Sequence, residues 1–160
     1  MFKTIAYLKP IILCLAVVVF SSCQPKSDFQ YLSGQTGSLS DFKGQWLIVN
    51  FWAEWCSPCR KEVEVLSNMV KNSKDSSVAV IGISYDPLHM VKLKDIVEEW
   101  RFNYPIIATD PVPILPFQLP NKLPALYILS PKSELVAKVS GEQTLESINK
   151  LLNSLKKNQE

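Results

Sequence analysis

Apolar and polar residues fall in blocks along this chain, and the period inside each block names an element. LIVNFWA, Leu47 to Ala53, is apolar almost throughout and rich in β-formers, which predicts a central strand buried on both faces. In CRKEVEVLSNMVKN, Val63, Leu66, Met69 and Val70 recur at helical spacing, and Pro58 stands at the helix start, where its missing N–H costs little. VAVIGIS, Val78 to Ser84, predicts a second buried strand, and MVKLKDIVEEW, Met90 to Trp100, a second amphipathic helix. ALYIL, Ala125 to Leu129, and LVAKVS, Leu135 to Ser140, predict two strands joined by the turn SPKSE. Gly141 breaks that pattern, and TLESINKLLNSLKK predicts a closing helix with Thr144 as N-cap and Glu146 close behind it.

Strand, helix, strand, helix, hairpin and helix predict an α/β fold. Its central sheet is mixed, with parallel strands first and a C-terminal antiparallel hairpin at the edge, and helices flank it. SLSDFKGQW reads as loop and turn. YPIIATDPVPILPFQLPNKLP carries Pro105, Pro111, Pro113, Pro116, Pro120 and Pro124, which forbid ordinary helix and predict a rigid, largely extended connection.

The start of the chain differs from its body. Lys3 and Lys9 precede an apolar run from Ile11 to Phe20 that ends in SSC. A run of that length covers about half of a bilayer core, so it predicts a signal peptide over residues 1–22 in preference to a spanning helix. VFSSCQ resembles the lipobox of bacterial lipoproteins, with Phe20 where that pattern prefers Leu. The resemblance implies that Cys23 is lipidated and begins the mature chain, followed by a linker to residue 33 and a folded domain over 34–160. Removing the leader takes Lys3, Lys9 and Cys14 with it. The charge balance then goes from 17 bases against 15 acids to 15 against 15, which gives no support to nucleic-acid binding. A composition that is 47% hydrophobic and 20% charged suits one globular domain.

With Cys23 lipidated, Cys56 and Cys59 remain as the only free thiols, and three chemistries compete for them. A structural zinc site wants four ligands, usually as two pairs. Here there is no second pair, and His89 is the chain's single histidine. An inert structural disulfide would close too short a loop to stabilise much. A redox pair fits better. The strand that ends in FWAEW and the helix that begins in CSPCR put Cys56 at a helix N-terminus, where unpaired N–H groups and the dipole stabilise a thiolate. Cys59 lies one turn further in, a spacing at which two sulfurs can close a disulfide.

NFWAEWCSPCRKE resembles the active-site segment of the thioredoxin superfamily, specifically its exported TlpA/ResA-like branch of membrane-tethered thiol-disulfide oxidoreductases. The resemblance extends through LSDFKGQWLIVNFWA, VAVIGIS and KLPALYILSPKSELVAKVSG, and it implies a thioredoxin-like fold from about Gly34 to the C-terminal helix. It implies that Cys56 attacks and Cys59 resolves. Glu62, on the same helix side as Cys59, matches a buried acid that moves protons to and from the thiols, and Asn50 stands where cytosolic thioredoxins carry a buried aspartate. Pro124 after Leu123 matches the cis-proline whose preceding residue offers backbone hydrogen bonds to substrate. Trp55 and Pro58 join Leu123 and Pro124 as the surface that meets substrate, and Trp52 and Trp55 are candidates to shield the disulfide.

The implied activity is reduction of periplasmic protein disulfides, cytochrome c maturation among the targets, with electrons from a thiol-type membrane donor and no cofactor beyond the redox-active disulfide. Two other classes compete: a copper-delivery protein, which would bring a histidine to the pair, and a peroxide-reducing redoxin, which would carry its cysteine in a Thr-rich loop. The connection from Asp110 to Pro120 departs from the family, which has a short helix before the cis-proline.

Overall fold

The structure is a computed structural model that describes residues 28–73 and 75–158. The expected signal peptide and the lipidation site at Cys23 lie outside the described residues. In chain order the elements are β1 (Phe29–Gln30), β2 (Thr36–Gly37), a 3-10 turn (Leu39–Phe42), β3 (Trp46–Trp52), α1 (Ser57–Asn72), β4 (Val78–Ser84), α2 (Met90–Glu99), β5 (Ile106–Ile107), β6 (Ala125–Leu129), β7 (Leu135–Ser140) and α3 (Leu145–Lys157).

Five of these strands form one sheet in the order β5-β4-β3-β6-β7. β3 runs parallel to β4, and β4 to β5, while β3 and β6 are antiparallel and β6 turns into β7 as a hairpin. This is the expected thioredoxin-like mixed sheet. Every residue of β3 is buried, which is why its sequence shows no polar alternation.

Alternate β3 residues face two different cores. Ile48 and Trp52 join a layer with Cys59 and Leu66 of α1, Leu93 and Ile96 of α2, and Ile148 and Leu152 of α3. Leu47, Val49 and Phe51 face a second layer with Phe29, Leu39 and Tyr127. Leu115 and Phe117 pack on that layer from the proline-rich stretch, the Phe117 ring meeting Phe51 and Tyr127 edge-on at 6.4 and 5.4 Å. The connection therefore covers one face of the sheet as well as spanning between elements.

Within residues 23–33, expected as linker, Phe29–Gln30 form β1. β1 pairs with β2, the Leu32 N–H donates to the Ile106 carbonyl at 2.8 Å, and Tyr31 bridges Ile107. Gly37 makes this ribbon possible, because a Cβ there would come within 2.6 Å of the Tyr31 ring. The proline-rich stretch also contains β5, a two-residue edge strand where the neighbouring prolines do no harm. At α3 the reciprocal cap partner of Thr144 is Ser147, with Glu146 beside it in the first turn.

Candidate active site

β3 delivers the chain to the C-terminal edge of the sheet, and Ala53 to Cys56 turn it into α1. The Cys56 N–H donates to the Ala53 carbonyl at 3.0 Å, and the Cys59 N–H to the Cys56 carbonyl at 3.0 Å, so the turn is closed by backbone alone. Cys56 occupies the N-cap position in extended geometry, and its side chain makes no capping hydrogen bond. Cys56 and Cys59 form a disulfide with Cα atoms 5.2 Å apart. Cys59 is fully buried, whereas Cys56 keeps 4% of its surface. The asymmetry is small, and of the two cysteines Cys56 is the one that keeps exposed surface. No acidic residue stands in the first turn of α1, so the positive end of the helix dipole acts on Cys56 without local compensation.

Glu62 lies one turn beyond Cys59 and is fully buried. Its Oε2 accepts a hydrogen bond from Asn50 Nδ2 at 2.9 Å, and its Oε1 accepts one from the Gln143 N–H at 3.0 Å. Burial raises its pKa from 4.5 to about 7; these two hydrogen bonds pull it down and the charge of Glu142 adds to the rise. Asn50 Oδ1 in turn accepts from the Tyr104 hydroxyl at 3.0 Å. The Tyr104 pKa lies well above its usual value, chiefly through burial and secondarily through Glu62. The family resemblance of the CSPCRKE segment pointed to Glu62. Nothing in the sequence pattern singled out Tyr104 or Gln143, which reach the site from 54 and 81 residues away from their partners.

The two tryptophans separate. Trp52 is fully buried against Trp100 and Phe102, ring centroids 5.4 and 5.1 Å away, so it belongs to the core. Trp55 is 67% exposed at the rim, and its Nε1 donates to Asp86 Oδ2 at 2.7 Å. Pro58 is exposed in the first turn of α1. The Leu123-Pro124 bond is cis. Because Ala125 pairs with Phe51, Pro124 falls beside the last residue of β3, at the edge from which the chain continues to Cys56. Leu123 is half-buried against the core layer that contains both cysteines. His89 is the exposed N-cap residue of α2, and among the described residues no three metal-type ligands gather.

The model of the AhpC/TSA family matches residues 23–137. Thiol-disulfide oxidoreductase ResA of Bacillus subtilis is 26% identical over 124 residues, which are 78% of this chain and 69% of that protein. The thioredoxin domain of a thiol-disulfide oxidoreductase from Bacteroides vulgatus superposes with a TM-score of 0.63 at 25% identity, covering 81% of this chain and all of that one. A DsbF homologue from Corynebacterium diphtheriae superposes equally well, TM-score 0.63 at 24% identity over 79% of this chain and 82% of its own.

Proposed function

The chain belongs to the AhpC/TSA family, as a thiol-disulfide oxidoreductase of thioredoxin-like fold, and from that premise we propose that it is exported, held to a membrane by lipid on Cys23, and reduces disulfides of periplasmic proteins. The observation that carries the reading is the Cys56–Cys59 disulfide at the start of α1, with Cys59 fully buried and Cys56 keeping 4% of its surface exposed.

In the reduced protein the Cys56 thiolate attacks one sulfur of the partner's disulfide, forming a mixed disulfide and expelling the partner's other sulfur as a thiolate that takes a proton. The Cys59 thiolate then attacks the Cys56 sulfur, closing the Cys56–Cys59 bond and releasing the second partner thiol. Two electrons pass to the partner, and a thiol-type membrane donor returns them in the next cycle. Glu62 sits one helical turn from Cys59 with a pKa near 7, which suits it to take the Cys59 proton as that thiol becomes a nucleophile. On this reading Trp55 and Pro58, which are exposed, and Leu123, half-buried before the buried Pro124, supply the surface that meets the partner. Cytochrome c maturation is one target process consistent with this chemistry.

The test is trapping. Cys59→Ser should accumulate mixed disulfides with envelope proteins, visible as reductant-sensitive higher bands, and Cys56→Ser should accumulate none. Equal trapping by both variants, or trapping by Cys56→Ser alone, overturns the assignment of roles.

A further inference from the structure

Asn50, in the middle of β3, pairs in register with Gly82 of β4, and Gly82 pairs with Ile106 of β5. Tyr104, two residues before Ile106, lies over Gly82, where a Cβ would come within 3.1 Å of the tyrosine ring and 2.6 Å of Ile106. The missing side chain at position 82 is what lets Tyr104 reach across β4 to a residue of β3. Its hydroxyl donates to Asn50 Oδ1 at 3.0 Å, and Asn50 Nδ2 donates to Glu62 Oε2 at 2.9 Å. The three side chains form one buried line from the edge of the sheet to the acid beside the redox pair.

We propose that Tyr104 is a positioning residue that acts through Asn50: by fixing the orientation of the Asn50 amide it keeps an N–H aimed at Glu62 and so sets the pH at which Glu62 holds its proton. The inference rests on Glu62 being the proton-handling acid. An amide can turn either end toward a carboxyl group. With its carbonyl facing Glu62 it would accept a proton and favour the neutral acid; with its N–H facing Glu62 it favours the carboxylate. Among the described residues Asn50 Oδ1 is the one acceptor for the Tyr104 proton; turning the amide would leave the tyrosine oxygen able to accept from Nδ2 but would strip the buried O–H of its acceptor. Burial holds Tyr104 un-ionised, so it stays a donor across the whole working range.

The groups that face Glu62 are few. Asn50 comes from β3, Glu142 and the Gln143 N–H from the loop before α3, Tyr104 acts from the segment before β5, and Cys59 stands one turn back on α1. Of these, Glu142 is exposed and its repulsion is common to every variant below.

The experiment follows the Glu62 side-chain carboxyl by 13C NMR against pH in the oxidised protein, where the cysteines do not titrate. Wild type should show a midpoint near 7. Tyr104→Phe should move it upward by roughly one unit, and Asn50→Ala should do the same or more. Because Tyr104 acts only through Asn50, the double variant should titrate with Asn50→Ala. Tyr127→Phe, which loses a hydroxyl bonded to the Gln118 carbonyl, should leave the midpoint in place.

A midpoint unmoved in Tyr104→Phe, or moved additively in the double variant, overturns the proposal while leaving the role of Glu62 intact. If Tyr104→Phe does not fold, Asn50→Ala decides alone, and an unmoved midpoint there is equally fatal. A wild-type midpoint at the ordinary carboxylate value would instead remove the Glu62 reading itself.

Discussion

Glu62 accepts two hydrogen bonds, pairs with no cation among the described residues, and is shut away from water. Its folded pKa of about 7 against 4.5 means that between those values the folded protein keeps a proton the unfolded chain has lost. Stability from this group is therefore complete below pH 4.5 and declines as pH rises toward 7, by about 3 kcal/mol in all. Urea unfolding of the oxidised protein at pH 4.5 and pH 8 should show that loss in wild type, and Glu62→Gln should lack it. Parallel behaviour of the two proteins would mean that Glu62 is solvated. In the reduced protein the Glu62 charge opposes a neighbouring thiolate, so Glu62→Gln should begin to form thiolate at lower pH, read by ultraviolet absorbance. The apparent values belong to the cluster of acid and thiols together. Glu62 was legible because it sits a fixed three residues past Cys59. Asn50 was noted only for its place in β3, and the bonds from Asn50 and Gln143 to Glu62, like that from Tyr104 to Asn50, form only after sheet and helix have packed.

β3, β4, β6 and β7 appear at or within a residue of their expected bounds; β3 and β6 are buried throughout and β4 over most of its length, which leaves an unmistakable apolar pattern, while β7 was legible as the partner of β6 across the SPKSE turn. The short ones were hidden for different reasons. β1 and β2 are two residues each and depend on Gly37 to admit the Tyr31 ring, while β5 is flanked by prolines that suggest only extended chain. The proline-rich connection is the most consequential difference, because prolines tell what it cannot be and not what it covers. Leu115 and Phe117 pack on the sheet, whereas Ile114 is 65% exposed. Phe117→Ala should therefore lower unfolding free energy by about 2 kcal/mol, less than a fully buried phenylalanine would cost, and Ile114→Ser should change it by no more than about 0.5 kcal/mol. Chemical denaturation of both variants separates the two; a larger loss from Ile114→Ser would mean that this stretch packs the other way round.

Across the whole molecule, the sheet carries the chain to one edge, a helix N-terminus receives Cys56 there, and the buried line from Tyr104 to Glu62 approaches the pair from within. Among the described residues no helix is long and apolar enough to cross a membrane, and the proposed attachment is by lipid on Cys23. Cys23→Ala should release the protein from the membrane fraction, and unchanged fractionation would remove the lipid anchor from the account. Direction of electron flow is decided by potential, and the known range runs from about −270 mV for thioredoxin to about −120 mV for DsbA, roughly 7 kcal/mol for two electrons. Equilibrating residues 28–160 with glutathione buffers and scoring the Cys56–Cys59 bond by thiol alkylation measures that potential directly. A reductant of protein disulfides should give a two-electron midpoint below about −200 mV, with Cys56→Ser showing no transition. A midpoint near −120 mV would make the protein an oxidant, and a pair that no buffer reduces would make the disulfide structural.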